Sequence, residues 1–233
     1  MSGDVRDEAP AVDAAAPTGP RILYITNGFP YPLTSGYLRH YFLIGHLAGA
    51  GCRVTQLRIV GADHRAEDVT AMSDRTDRGE TFRAADRARG ARQRWVRRLR
   101  RVLPIGGGDP AGRQLAARVT ELMASGSIDA VVFSGRRTDR ALTALGDRLP
   151  LVIDMCDATS FRLEREIAIS GRWRRIALRI QRLQVRRVEA RMLRRADRLL
   201  FASVRDRESL MPGPPDPRAA IVPNGVDAAY WAR

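Results

Sequence analysis

Residues 21–60, RILYITNGFPYPLTSGYLRHYFLIGHLAGAGCRVTQLRIV, decide the fold. RILYIT (21–26) is a continuous apolar run closed by Asn27-Gly28. A Pro/Gly loop follows, then a helical stretch from Tyr37 to Ala50. A second run, CRVTQLRIV (52–60), places Val54, Leu57, Ile59 and Val60 as a strand would. Strands read as unbroken apolar runs when helices cover both faces of a parallel sheet. Working outward, DAVVFS (129–134), LVIDM (151–155), RLLFAS (198–203) and AAIVP (219–223) repeat the pattern. Helical stretches lie near 82–101, 111–125, 138–147, 159–196 and 204–211. This alternation predicts an α/β domain built on a Rossmann-like, doubly wound parallel sheet.

The 233 residues fit one large domain or two small ones, and a hydrophobic fraction of 44% allows a sizeable core. Cys52 and Cys156 lie far apart without metal spacing, which fits a reducing compartment. His40, His46 and His64 form no HExxH pattern, so no metal site is expected, nor any bound cofactor. Residues 1–20 combine Ala, Pro and acids without an apolar centre, which predicts a disordered tail and not a signal peptide. No window approaches the roughly eighteen apolar residues of a membrane span.

The charge is less ordinary. Forty basic side chains stand against 26 acidic ones, for a net +14, and every base is arginine. Residues 83–118 hold eleven Arg against Asp86 and Asp109, and residues 162–198 hold thirteen against Glu164, Glu166, Glu189 and Asp197. On a helical wheel Trp173, Ile176, Ala177, Ile180 and Leu183 share one face. Val185, Val188, Met192 and Ala196 form a rotated stripe, which predicts a break near residue 184. Two readings stay open for the arginines. They are solvated faces of core-packing helices, with Arg stems lying over apolar surface. Or they meet an anionic partner, either phospholipid headgroups or a phosphate-bearing substrate. Trp95 and Arg98 in RQRWVRRLRRV (92–102), and Trp173 beside Arg172, Arg174 and Arg175, have the make-up of interfacial anchors. No helix-turn-helix, zinc finger or aromatic RNA-binding signature accompanies the charge, so no nucleic-acid partner is expected.

In a doubly wound sheet, ligands bind outside the carboxyl ends of the strands, near the point where strand order reverses. The residues to weigh are therefore 27–39, 134–137, 154–160, 203–205 and 223–227. The loop from Asn27 to Gly36 matches neither a dinucleotide fingerprint nor a P-loop. Gly36 before a helix still lets backbone approach a ligand, and the helix start offers N–H groups to an anion. Gly106-Gly107-Gly108 reads as a connector. Asp154-Met-Cys-Asp-Ala-Thr-Ser160 puts two acids and two hydroxyls at a strand end. Thr159 or Ser160 is expected to cap the next helix, Asp154 or Asp157 to meet an acceptor hydroxyl, and Cys156 to be a small buried apolar group. Arg39 and His40, near the start of the first helix, could reach the same cleft.

These strand ends together resemble a known family. FPYPLTSG (29–36) with an Arg-bearing helix to Arg39, a strand ending Asp154-x-x-Asp157, a long helix running into RRADRLLFAS (194–203), and VPNGVD (222–227) before Tyr230 and Trp231 resemble the N-terminal half of family 4 glycosyltransferases of the GT-B type. The resemblance spans about residues 21–231. It implies retaining transfer of a sugar from a nucleotide sugar, as donor substrate, to a glycan or lipid-linked acceptor in a cleft between two Rossmann-like domains. Residues 21–227 would be the acceptor-binding domain and 228–233 the start of the interdomain linker. Ser35 and Gly36 would line the donor-phosphate side. Asp154, Asp157, His40 and Arg39 would face the acceptor, and Asn224, Gly225 and Asp227 would mark the linker. No catalytic residue is assigned. The family's donor-binding domain would follow Arg233, so these residues alone are expected to be inactive and to need a separate donor domain. Envelope or exopolysaccharide synthesis at the inner face of the plasma membrane would suit the arginine segments, with Trp95, Arg98, Trp173 and Arg175 as contacts and the chain otherwise cytoplasmic. The alternative is a non-catalytic remnant that binds an acceptor or an anionic membrane.

Overall fold

The computed structural model describes residues 19–28, 38–60, 75–84, 110–135, 138–147 and 149–225. Strands β1 (Arg21–Asn27), β2 (Arg53–Val60), β3 (Arg78–Arg83), β4 (Ala130–Ser134), β5 (Leu151–Cys156), β6 (Arg198–Phe201) and β7 (Ala219–Ile221) form one sheet. Its order is β3-β2-β1-β4-β5-β6-β7, and every pairing is parallel. The first six strands follow the Rossmann order, with the switch point between β1 and β4. The helices are α1 (Leu38–Gly49), α2 (Pro110–Ala124), α3 (Asp139–Ala144), α4 (Thr159–Ile169), α5 (Arg172–Arg195) and α6 (Val204–Leu210).

Alternation along β1 supplies both faces of the core. Leu23 and Ile25 point into a cluster with Leu115, Val119, Leu142 and Met192, while Tyr24 packs with Ile44, Val54 and Val60 under α1. All five side chains from Ile22 to Thr26 are buried, which is why this strand reads as an apolar run. The end of α1 is a Schellman turn. Gly51 has φ 81°, its N–H donates to Ala48 O, and the Cys52 N–H donates to Leu47 O. Gly19 and Pro20, placed in the disordered tail by the sequence reading, already hydrogen-bond to Gly51 and Arg53; residues 1–18 lie outside the described set. A bidentate contact from Arg21 to Asp129 (3.0 and 2.7 Å) ties the entry of β1 to that of β4.

Three sequence expectations need correction. The stretch assigned to a helix from residue 82 begins inside β3, a strand not foreseen because its ends are charged and it lies at the sheet edge. The single helix over 159–196 is two helices separated at Ser170-Gly171, and α5 runs unbroken through residue 184. The two rotated apolar stripes are opposite faces of one helix, one turned inward and one to solvent. Thirdly, neither Thr159 nor Ser160 caps α4. Both are its first helical residues, and the carboxylate of Glu189 accepts the Ser160 N–H at 3.0 Å instead.

Candidate functional site

The carboxyl ends of β1, β4 and β5 enclose a pocket of about 130 Å³. Asn27, Ser134, Gly135 and the turn Asp154–Asp157 form its floor and one side; Thr159, Arg162, Glu189 and Met192 from α4 and α5 close the other. The position is the one expected for a ligand in a doubly wound fold.

Beneath the pocket lies an ion pair almost sealed from water. Arg39 Nε donates to Asp154 Oδ2 at 2.8 Å, with side-chain exposures of 4% and 0%. Arg39 Nη1 also donates to Val222 O (2.5 Å) and Asn224 Oδ1 (3.4 Å), so one guanidinium fastens α1, β5 and the segment after β7. His40, one residue on, occupies a second buried network. Ser134 Oγ donates to Asp154 O at 3.2 Å, so its oxygen receives the His40 Nε2–H at 3.4 Å. That leaves Nδ1 to accept the Tyr24 hydroxyl at 3.1 Å. The tautomer follows from counting donors, since serine has a single proton to give.

Burial lowers the His40 pKa, outweighing the Asp154 carboxylate 3.9 Å from Nδ1, so the ring is neutral and the short separation is not an ion pair. The unfolded chain binds a proton near the ordinary 6.5, while the buried ring binds one only at lower pH. Between those limits the unfolded state holds more protons, so stability falls as pH drops below 6.5 and the loss levels off under the folded pKa. Melting temperatures followed from about pH 7 to pH 5 are expected to decline for the wild type, and less steeply for His40→Gln. Equal slopes would remove His40 from this account. Hydrogen bonds from Arg21 hold the exposed Asp129 carboxyl at about 2, so its contribution disappears in a more acidic range.

The turn after β5 is strained. Cys156 has φ 51°, the only positive φ at a non-glycine among the described residues, and the β5–β6 register slips between Asp154 and Cys156. Asp154 Oδ1 accepts the Cys156 N–H at 3.2 Å and supports this conformation. The kink turns Asp157 outward to the pocket mouth, where it faces Arg162 at 3.6 Å. Burial, with Asp154 and Asp157 adding to it, pushes the Cys156 thiol up to about 11, so it is no nucleophile at neutral pH. Cys156 is half-buried on the pocket wall and not, as expected, a core residue.

The structure therefore joins Arg39, His40 and Asp154, adds Asn224 as a partner of Arg39, and sets Asp157 at the mouth. Gly225 follows that contact. Trp173 and Arg175 are exposed at the start of α5. Ser35, Gly36, Trp95, Arg98 and Asp227 lie outside the described residues. Tyr24 and Glu189 were missed. Glu189 follows Val185 by four and precedes Met192 by three, a spacing that marks it as inward-facing. No group of acids, histidines and cysteines able to hold a metal occurs among the described residues.

No family model matches the sequence, and no curated protein matches it. Solved structures define the class: the sheet and its helices have the Rossmann-like α/β fold of GT-B glycosyltransferases. A UDP-glucosyltransferase from Polygonum tinctorium capable of glucosylating indoxyl, solved in complex with 3,4-dichloroaniline, is 16% identical over 90% of this chain and 52% of its own, with a TM-score of 0.52. Phytolacca americana UGT2, solved with UDP-2-fluoro-glucose and pterostilbene, is 13% identical over 89% and 54%, with a TM-score of 0.51. The chain spans about half the length of these structures. At such identities the likeness concerns the fold alone.

Proposed function

We propose that the chain is the acceptor-binding domain of a family 4-type GT-B glycosyltransferase. With a donor-binding domain it transfers a sugar from a nucleotide sugar, with retention, to a glycan or lipid-linked acceptor of cell-envelope or exopolysaccharide synthesis. The observation that carries this reading is the polar pocket at the switch point of a fold shared with sugar transferases. Asp157, exposed at the mouth, meets acceptor hydroxyls, while Arg39, His40 and Asp154 hold the floor from below. Ser35 and Gly36 approach the donor phosphates, and Asn224 to Asp227 lead into the linker. The test is to supply labelled nucleotide sugars and isolated lipid-linked glycans to the chain, alone and with a donor-binding domain. Acceptor binding by the chain and transfer only by the pair are expected. Absence of both overturns the reading.

A second observation favours an anionic membrane surface as partner. The inner face of α5 carries Leu178, Val185 and Met192. Its outer face presents Trp173 (79% exposed), Ile176 and Leu183, next to Ile169 (88%) at the end of α4. Arg172, Arg175, Arg179 and Arg186 flank this outer stripe, a pattern suited to lying at a lipid interface at the inner face of the plasma membrane. No helix among the described residues is long and apolar enough to cross a membrane. Co-sedimentation with phosphatidylglycerol vesicles, weakened by salt and absent with phosphatidylcholine, is expected. Trp173→Ala should cut partitioning by about tenfold; unchanged partitioning would remove α5 as the contact.

A further inference from the structure

Glu189 lines the pocket and has no part in the function just described. It projects from α5 toward the sheet and is 3% exposed. Its Oε1 accepts the Ser160 N–H and so caps α4. Its Oε2 is buried and meets no donor among the described residues. The guanidinium on the same wall, Arg162, faces Asp157 instead. A buried carboxylate oxygen without a donor is unfavourable, because it has lost water and gained nothing in return. The neighbouring space is where a donor can enter.

The chemistry of that donor is narrow. With Asp154 paired to Arg39 and Asp157 facing Arg162, it is the Glu189 carboxylate itself that disfavours an anion beside Oε2, and no set of groups among the described residues there is arranged to hold a metal ion. A neutral hydroxyl fits: it donates to Oε2, and its oxygen can accept from the Asn27 amide or a wall hydroxyl. A cavity of roughly 150 Å³ takes one benzene ring, so the 130 Å³ here, open to solvent on one side, admits one edge of a pyranose with its hydroxyls while the rest of the sugar stays at the mouth. We propose that Glu189 is a specificity-determining residue of a monosaccharide subsite, its Oε2 accepting a hydrogen bond from a ring hydroxyl. The proposal rests on the acceptor-side reading above and adds to it the group that recognises the sugar. A site built to bond a hydroxyl discriminates strongly against the analogue that lacks it.

The probes are methyl α-glucoside, α-galactoside, α-mannoside and N-acetylglucosaminide, with ethanolamine as a cationic control. Ligand-observed saturation transfer to the intact chain is expected for at least one glycoside. Glu189→Gln keeps an oxygen for the Ser160 N–H but can turn only an amide toward the ligand, so affinity should drop about tenfold or more. The deoxy analogue at the recognised position should lose a similar factor with the wild type and nothing further with Glu189→Gln. A measurement free of mutation uses Cys156, which shares the pocket wall. In alkaline buffer, where a fraction of this high-pKa thiol is ionised, the bound glycoside should slow its methylthiolation by methyl methanethiosulfonate, with Cys52 unaffected. Equal affinity in Glu189→Gln, protection by ethanolamine alone, or no binding by any glycoside overturns the proposal. Glu189-dependent sugar binding by a chain that never supports transfer would defeat the transferase reading and leave this one standing. Transfer that proceeds unchanged in Glu189→Gln would do the reverse.

Discussion

Arg39→Met is expected to lower the free energy of unfolding by about 3–5 kcal/mol, the loss typical when one partner of a buried ion pair is removed. The magnitude follows from what stays behind. Asp154 is inaccessible to water, and without Arg39 its Oδ2 loses the donor at 2.8 Å while the carboxylate remains buried. Among the described residues, its other oxygen holds only the Cys156 N–H. In a chain of this size the loss corresponds to a melting temperature lower by about 10 °C. Arg39→Met/Asp154→Asn should recover much of the loss, because the pair is then neutral and the Cys156 N–H keeps an acceptor. Two single substitutions that each cost less than about 1 kcal/mol and simply add would show the pair to be uncoupled. Hydrogen exchange supplies a second readout. The segment from Val222 to Asn224 is held by Arg39 Nη1, so its amides should exchange faster in Arg39→Met.

Gly135→Ala is expected to be nearly as damaging, and at the pocket itself. A Cβ there would stand 2.2 Å from the Asn27 side chain and 3.1 Å from the Asn27 backbone nitrogen, and the φ of 97° is itself unfavourable for any side chain. Overlap and backbone strain together should cost about 2–5 kcal/mol. The strain falls on the crevice between β1 and β4, so ligand binding should weaken beyond what the change in stability explains. Asn27→Gly in the same chain removes the nearest atom, but the crowding against the Asn27 main chain and the unfavourable φ both persist. The double variant should therefore regain only part of the stability, as chemical denaturation would show. A fully stable Gly135→Ala would mean that the β1 and β4 ends separate at little cost.

Much of the fold was legible because its strands are buried on both faces. Leu23 and Ile25 face one side and Tyr24 the other, so β1 has no solvent-facing position to interrupt the apolar run. Where that condition fails, reading fails. Edge strand β3 has half-buried side chains between charged ends, and its sequence RGETFR carries no run to notice. The break before α5 was signalled by Ser170-Gly171, yet the helical wheel placed it near 184 by allowing each helix one apolar face; α5 has two. The candidate site divides the same way. Strand ends located the pocket, since topology alone puts ligands there. What sequence could not supply was pairing across distance. Nothing in the letters shows that Arg39 reaches Asp154, that this makes Asp154 a floor residue while Asp157 stays open, or that Glu189 among thirteen arginines turns inward.

The Arg39 contacts also impose an order on synthesis. Asp154 lies 115 residues after Arg39 and Val222 lies 183 residues after it. At roughly 5–20 residues per second, the guanidinium waits about 10–40 s on the ribosome for its last partner. The first helix can form early, but its opening turn is secured only when β5 and the strand after α6 have emerged and joined the sheet. Burying that arginine is thus among the last steps of maturation. A chain halted short of Val222 would keep the Arg39–Asp154 pair but leave Nη1 without its carbonyl and the floor open on that side, which is the sort of defect that cellular proteases recognise.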